Sequence, residues 1–201
     1  MKKSWILLAL LTGCLGLSAQ ENKSLSFSAD WVHSSRHGMM GPGYTLSFQR
    51  HLRGPLWMEA GASYGIASRS VERDREVNQV RMLDLNYHHA GYAFFAGPLV
   101  HLGKPSGLSV EVSTGFALGY QSNVFDRNHY EILTDSEYVY GTTDVVYDTE
   151  VVEGLFPGAR AALRIQVPLG PAWALLAGGE ASVYHVGIPL FKASLGVRCH
   201  F

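Results

Sequence analysis

The chain has 201 residues, of which 47% are hydrophobic and only 16% are charged, and its formal net charge is −1. A charge so close to zero gives no basis for nucleic-acid binding. The charged fraction is below the roughly 25% of ordinary soluble domains. After residue 20, however, no apolar run reaches the ~20 residues of a membrane helix. The length predicts roughly one domain. The composition favours a sheet whose strands alternate apolar and polar side chains.

Residues 1–20 have the pattern of an export signal. Two lysines open the segment, an apolar run follows, and small residues end it at Ala19. We therefore expect export through the inner membrane and a mature domain at 21–201. A second interpretation rests on residues 11–14, Leu-Thr-Gly-Cys, which resemble a bacterial lipoprotein box in which Cys14 is acylated.

Eight segments of the mature chain alternate apolar and polar residues with period two, which is typical of strands with two unlike faces. These predicted strands cover residues 25–32, 44–49, 58–66, 80–102, 108–120, 159–167, 173–184 and 191–201. In the fourth strand the apolar residues change parity, so we expect a bend or bulge near Ala90 and Gly91. Pro98 is unfavourable in that strand, since it cannot donate a ladder hydrogen bond.

The connections between the predicted strands differ in length in a regular way. Those after the second, fourth and sixth strands are short and rich in Gly and Pro, which indicates tight turns. Those after the first, third and fifth strands are longer, and the longest is 121–158. If both termini are periplasmic, the short turns are periplasmic too, and the long loops lie outside the cell.

The last strand, 191–201, carries apolar residues on one face and polar or small residues on the other, and ends on Phe201. It resembles the terminal strand of bacterial outer-membrane β-barrel proteins, which alternates and closes on Phe or Tyr. The whole strand pattern resembles the small eight-stranded class, OmpA/OmpX-like, and the end of the signal resembles Bacteroidetes-type proteins.

That resemblance implies an all-β, single-domain, up-and-down antiparallel transmembrane β-barrel of eight strands in the bacterial outer membrane. We expect 121–158 to be a long extracellular connection that contains a hairpin rising above the membrane. Ten strands are the alternative, if that hairpin lies inside the membrane instead. The resemblance also implies contact with outer-membrane lipid and lipopolysaccharide. It further implies recognition by the barrel-assembly machinery through the strand that ends at Phe201.

The inward-facing rows of an eight-stranded barrel fill its interior, and here they contain as many acids as bases. The predicted lumen ion network consists of Asp30, Glu59, Glu111, Glu180, Arg160, Arg164, Lys192 and Arg198. Buried charges are tolerated when they are paired and hydrogen-bonded. We therefore expect a salt-bridged plug, with a small channel or uptake protein as an alternative function.

The segment 121–158 is the most distinctive exposed part of the predicted structure, because it is long and strongly acidic. Loops longer than ~12–15 residues are usually functional or disordered. The candidate binding residues in it are Asp126, Glu131, Asp135, Glu137, Tyr138, Tyr140, Asp144, Tyr147, Asp148 and Glu150. We expect a structural or surface-binding, non-enzymatic barrel whose partner is an extracellular protein or glycan.

An enzymatic alternative comes from the resemblance to small barrels that modify lipid A, as hydrolases or acyltransferases at the outer rim. One such deacylase uses a His-x-Ser pair, which His33 and Ser35 match formally. A base-activated serine needs the base within hydrogen-bond reach and a third group that orients the base, and the sequence supplies no evident orienting carboxylate. The histidines have no metal-ligand spacing, so neither a metal nor a cofactor is expected.

Overall fold

The computed structural model describes residues 23–73, 75–77, 80–103, 107–132, 144–185 and 187–201. The predicted export segment 1–20, with Cys14, lies outside these residues. Among the described residues no helix is long and apolar enough to cross a membrane. Within them the chain forms the strands β1 (Lys23–Ser34), β2 (Met40–Arg53), β3 (Leu56–Val71), β4 (Arg75–Val77), β5 (Val80–Met82), β6 (Leu85–Gly103), β7 (Ser109–Ile132), β8 (Asp144–Pro168), β9 (Trp173–Tyr184) and β10 (Leu190–His200).

The eight long strands close into a ring. Their order is β1-β2-β3-β6-β7-β8-β9-β10, each neighbouring pair is antiparallel, and β10 pairs with β1. Closure leaves no open edge within the ring, as lipid requires of a spanning sheet. The predicted eight-stranded up-and-down barrel is therefore confirmed. The ten-stranded alternative is wrong, because β7 and β8 continue upwards as partners of each other and add no further strand to the wall.

The short strands β4 and β5 form a hairpin beside the ring. β5 pairs with β7 through Val80↔Ile132, Arg81↔Glu131 and Met82↔Tyr130. The predicted single strand 80–102 is therefore two separate elements, and the wall strand β6 begins at Leu85. The chain leaves the wall after β3, forms the hairpin against β7, and then returns to the ring.

No bulge is present where the sequence predicted one. β6 pairs without a shift through Ala90 and Gly91, both with β3 and with β7. What changes is the outward face: Tyr92 points outwards and is 57% exposed, whereas beyond Ala90 the outward residues are polar and apolar Tyr87 points inwards, 8% exposed. The parity change therefore marks a change in what surrounds the wall.

Pro98 lies at a gap in one ladder. The β6–β7 pairing skips Gly97 and Pro98 and then resumes in the same register at Leu99↔Ser113. Proline has no backbone N–H to donate, which accounts for the gap. On its other side Pro98 remains opposite Met58 of β3.

An apolar band surrounds the barrel. Phe116 is 85% exposed, Phe94 67% and Leu195 66%. Water-soluble proteins do not expose large side chains in such a continuous band. On β7 the outward apolar row runs over 108–120, and thirteen residues of tilted strand span about 33 Å, close to the ~30 Å hydrocarbon core of a bilayer. We call this part of the barrel the membrane half.

The two ends of the barrel differ. The inner end carries the turns 54–55 and 169–172 together with the end of β6 at Gly103 and the start of β7 at Ser109, and the outer end carries the turn 35–39. β7 and β8 extend beyond the membrane half at the outer end. We call the part of the barrel above the apolar band the outer half.

Candidate functional site

The interior of the membrane half contains buried ion pairs centred on Glu59. This carboxylate accepts a hydrogen bond of 2.9 Å from Arg160 and two, of 2.6 and 3.1 Å, from Arg164. The Glu59 side chain is 1% exposed. The acid lies on β3 and both bases lie on β8, so the pairing crosses the lumen and joins strands that are not neighbours.

Glu180 extends the same network towards the outer half. Its carboxylate lies 2.8 Å from Arg160 Nε and 3.0 Å from Lys192 Nζ. Lys192 also donates to the Ser63 hydroxyl at 2.8 Å, and the guanidinium of Arg160 lies 3.7 Å from the centre of the Phe95 ring. Arg160 thus links two acids and stacks on an aromatic ring, which compensates its burial.

Glu111 forms the part of the network nearest the inner end. Arg198 donates both of its terminal nitrogens to this carboxylate, one of them at 2.8 Å, and also donates to Gln166 at 2.5 Å. His101 Nδ1 lies 3.3 Å from Glu111, and the His101 ring packs 4.8 Å from that of Trp57. Gln166 and His101 were not among the predicted members of the network, although both lie on the inward rows of β8 and β6.

Asp30 stands apart from these ion pairs. It accepts hydrogen bonds from Thr45 at 2.5 Å and from Ser28 at 2.9 Å. Among the described residues no cation pairs with it. All eight charged residues that were predicted to face the lumen do point inwards, and ion pairs join the other seven. The inward rows contain equal numbers of acids and bases. That balance gave no sign that the partners of Asp30 are hydroxyl groups and not a cation.

Above the ion pairs the interior becomes apolar. One buried cluster consists of Val32, Ala93, Phe95, Ala117, Tyr184 and Leu190. A second, nearer the outer end, consists of Met39, Ala67, Leu85, Tyr87, Phe125 and Ile188. A cavity of about 10 Å³, lined in part by Lys192 and Tyr184, has room for about one water molecule. Side chains therefore fill the interior.

The turn 35–39 folds inwards and caps the outer end. Met39 is fully buried in the second cluster, and the His37 ring stacks on Tyr87 at 4.1 Å. Arg69 donates to the His37 carbonyl at 2.8 Å. Ser35 N donates to Pro189 O at 3.2 Å, which ties this cap to the turn between β9 and β10. A methionine inside a polar loop was the one sequence signal of this arrangement.

Charged groups hold the cap from outside. Glu150 of β8 accepts from Arg36 at 3.5 Å and from Arg127 at 2.7 Å. The hydrogen bond from Arg127 holds the pKa of the Glu150 carboxyl below its usual value. Partial burial, then the positive charges of Arg36 and Arg69, lower the pKa of His37. The cap therefore favours a neutral His37 beside an ionised Glu150.

A four-stranded sheet rises above the outer end. β7 and β8 remain paired up to Ile132↔Asp144, and β5 and β4 add to the free side of β7. The hairpin that follows β3 therefore forms one surface with the outer parts of β7 and β8. Because β9 pairs with β8 only from Gly158 to Pro168, no described strand pairs with the other edge of β8 between Asp144 and Phe156.

The segment 121–158 was expected to be a long connection with a hairpin rising above the membrane, and within the described residues most of it is strand. Within it 121–132 belongs to β7 and 144–158 to β8. The period-two signal was weak there because these residues form a ribbon outside the membrane, where neither face needs to be uniformly apolar.

The candidate binding residues of this segment have different environments. Asp126 is 7% exposed and accepts from Asn86 N at 2.9 Å, so it is a structural group of the outer half. Glu150 holds the cap, and Asp148 is exposed. The remaining candidates divide into two sets. Glu131, Asp144 and Tyr147 lie in the paired ladder, whereas Asp135, Glu137, Tyr138 and Tyr140 lie outside the described residues.

The structure does not bring His33 and Ser35 together as a catalytic pair. His33 lies on the outward row of β1, and its ring is 6.5 Å from that of Phe191. Among the described residues no hydrogen bond joins the two side chains, and His33 Nδ1 has no partner. The described residues also contain no group of three His, Cys, Asp or Glu side chains that could hold a metal ion.

No protein-family model and no curated protein matches the chain. Among solved structures it is similar to the attachment invasion locus protein Ail of Yersinia pestis, with 12% identity and a TM-score of 0.48 over 92% of this chain and 100% of that one. Neisserial surface protein A is similar with 13% identity and a TM-score of 0.46 over 92% and 100% of the two chains.

The N-terminal β-barrel domain of Pseudomonas aeruginosa OprF is similar with 17% identity, at a TM-score of 0.46 and the same coverage of 92% and 100%. The architecture itself is decisive: eight antiparallel strands close into a ring, an apolar band faces outwards, and paired charges fill the interior. The chain is therefore a small transmembrane β-barrel of the outer-membrane type.

Proposed function

We propose that this protein is a non-enzymatic outer-membrane barrel that binds an extracellular protein or glycan through the sheet above its outer end. The observation that carries the proposal is the β7–β8 ladder, which continues from Gln121↔Gly154 to Ile132↔Asp144. Twelve residues of strand reach about 40 Å along the ribbon. A wall strand that only crosses lipid has no need of that length.

The free edge of β8 suggests how a protein partner would bind. An unpaired edge offers a row of backbone donors and acceptors to an incoming strand, which is a common mode of peptide recognition. The side chains add charge selection, because 121–158 contains eight acids and one arginine or lysine. A basic extended segment is the partner that fits both properties.

The two alternative functions receive less support from the geometry. A channel needs an open lumen, whereas ion pairs and two apolar clusters fill this interior. A lipid A-modifying enzyme needs an oriented base next to its nucleophile, and His33 and Ser35 are not so arranged. The outer sheet is therefore the functional candidate.

The test shortens the ribbon and leaves the cap intact. We would replace residues 129–147 with a two-residue Asn-Gly turn, which suits a β-hairpin and preserves the Arg127–Glu150 ion pair. Cells carrying either form would be tested on a glycan array and on immobilised extracellular-matrix proteins. We expect the shortened barrel to keep its heat-modifiable mobility and to lose any binding that the full-length protein shows.

A matched control changes a turn at the other end of the barrel. Replacement of Gly54 and Pro55 by Asn-Gly should leave binding intact, because that turn faces the periplasm in the proposed orientation. The proposal fails if the full-length protein binds nothing on either surface, or if the shortened barrel binds as well as the full-length one.

A further inference from the structure

Four tyrosines form a continuous row on the outside of the barrel. Tyr44 lies opposite Tyr64, Tyr64 opposite Tyr92, and Tyr92 opposite Tyr120, so the row crosses β2, β3, β6 and β7. The rings of Tyr64 and Tyr92 are 4.8 Å apart. Tyr92 is 57% exposed and Tyr120 is 38% exposed, so the row faces lipid.

The row rises towards the outer surface of the membrane. On β2 the outward residues Met40 and Pro42 still lie beyond Tyr44, and on β6 Ala90 lies beyond Tyr92. On β7 the next outward residue beyond Tyr120 is polar Ser122. Strands in a barrel are tilted by about 35–45°, so successive partners across the sheet lie at successive heights. The row therefore ends at the lipid–water boundary, at Tyr120.

A carboxylate lies at that end of the row. The Tyr120 hydroxyl donates a hydrogen bond to Glu153 Oε1, and Glu153 lies opposite Ser122 in the ladder with its side chain exposed. Among the described residues Glu153 has no cationic partner. Glu150, on the same strand, is by contrast held by Arg36 and Arg127 at the mouth of the barrel.

On the three neighbouring strands, the described outward residues just beyond the apolar band carry no fixed positive charge. The first polar outward residues beyond the apolar band on β3, β6 and β7 are Ser68, His88 and Ser122. Lipid-binding surfaces that capture phosphate groups use clusters of Lys and Arg, and none is present in this described part of the rim. A negative side chain here repels purely anionic headgroups and attracts cationic ones.

We propose that Tyr120 and Glu153 form a headgroup site for a lipid that carries an ammonium group. The free carboxylate oxygen of Glu153 accepts from the ammonium, and the face of the Tyr120 ring attracts the same cation. The acyl chains lie on the apolar surface below, formed by Leu118 and Leu155. The ammonium group can belong to an ethanolamine-type or a choline-type lipid, because both have this chemistry.

Native mass spectrometry of the whole protein tests this proposal. The protein would be released from micelles that contain equal amounts of phosphatidylethanolamine, phosphatidylcholine and phosphatidylglycerol. We expect at least one ammonium lipid to be retained about five-fold more than phosphatidylglycerol, as one exposed cation–π and ion contact would give. The ratio between the two ammonium lipids distinguishes a primary from a quaternary headgroup.

Two variants and one control test whether Tyr120 and Glu153 cause the preference for ammonium lipids. Glu153→Gln should abolish it, and Tyr120→Leu should reduce it, while both keep heat-modifiable mobility. Glu72→Gln removes an exposed acid in the link after β3 and should leave the preference unchanged. Equal retention of all three lipids by the unmodified protein, or an undiminished preference in Glu153→Gln, would overturn the proposal. If Glu153→Gln does not fold, the result for Tyr120→Leu decides.

Discussion

β6 is apolar on both faces in the membrane half, where Phe95 and Leu99 point inwards, but only on its inward face in the outer half. In the membrane half Tyr92 and Phe94 point outwards and are 57% and 67% exposed, whereas in the outer half Leu85 and Tyr87 point inwards and are 1% and 8% exposed. The register with β3 is unbroken across the change. The medium outside the wall, lipid in one half and water in the other, decides which face must be apolar.

On β7 the outward Phe116 is 85% exposed in the membrane half, and the inward Phe125 is 1% exposed in the outer half. The outer half therefore has a buried apolar cluster beneath a water-facing surface, as a water-soluble protein does. The membrane half has paired charges and hydrogen bonds in its core, beside inward apolar residues such as Phe95 and Leu99. The two halves should consequently respond in opposite ways to charged and apolar substitutions.

The largest effect should come from reversing a charge inside the membrane half. Arg198→Glu removes the partner of Glu111 and places a second acid beside it, and the Arg198 side chain is fully buried. Breaking a buried pair costs about 3–5 kcal/mol, and we expect the upper end of that range. Urea unfolding in lipid vesicles measures the change.

The same reversal outside the membrane half is the control. Arg127→Glu breaks an ion pair whose arginine side chain is 58% exposed. Water and salt screen exposed ion pairs, so the unfolding transition should shift little. Unchanged urea resistance in Arg198→Glu would contradict a charged, buried core in the membrane half.

Truncation of an inward aromatic residue should be the most damaging apolar change in the outer half. Phe125→Ala leaves a hole among Tyr87, Leu85 and Met39, and should destabilise the barrel by about 3–4 kcal/mol. Phe116→Ala removes the same ring from the lipid-facing surface, where acyl chains fill the space and no cavity remains. It should therefore cost only the lost transfer of the ring from water, roughly 1.5–3 kcal/mol, and less than Phe125→Ala. Equal losses for the two variants would contradict a tightly packed apolar core in the outer half.

A pair of arginine substitutions on β6 locates the boundary between the halves. Phe94→Arg places a cation on the lipid face and should destabilise by about 2–3 kcal/mol, whereas His88→Arg, beyond the apolar band, should cost roughly 0–1 kcal/mol. Both residues point outwards. Folding titrations in vesicles compare them, and a similar cost at both positions would move the boundary beyond His88.

The period-two pattern predicted the barrel, its strand number and the inward rows, because each lipid-facing residue must be apolar wherever a strand crosses the membrane. The pattern was misleading in the outer half, where the outward face of the barrel contacts water. There the apolar residues Leu85 and Tyr87 were interpreted as the sign of a bend or bulge. The segment 121–158 was expected to be a long connection with a short hairpin above the membrane, whereas 121–132 and 144–158 continue β7 and β8. A strand whose outward face changes from apolar to polar can give the same sequence pattern as a strand with a bulge. The sequence alone therefore does not distinguish the two.

The partners within the lumen could not be predicted from strand patterns. Glu59 and Arg160 are 101 positions apart, and their contact depends on how the strands are staggered around the ring. The inward rows identified which charges are buried, but they left open that Asp30 is satisfied by Thr45 and Ser28. The cap was also missed, since the burial of Met39 depends on a turn that folds into the barrel.

The smallest expected effect concerns the cap and its dependence on pH. His37 lies between Arg36 and Arg69, stacks on Tyr87 and faces Glu150. Its pKa in the folded protein is lowered, first by burial and then by the two arginines. The unfolded chain therefore binds more protons than the folded one, and stability rises with pH.

This contribution is fully present above the unfolded pKa of about 6.5 and is lost as the pH falls below it. We expect the backbone amides of 35–39 to exchange with deuterium faster at pH 5 than at pH 8, after correction for intrinsic exchange rates. Glu150 stays ionised in this range because its pKa is lowered, so His37 is the group that changes charge in the cap. His37→Phe keeps an aromatic ring on Tyr87 and should remove the pH dependence. If the dependence persists in that variant, another group controls the cap.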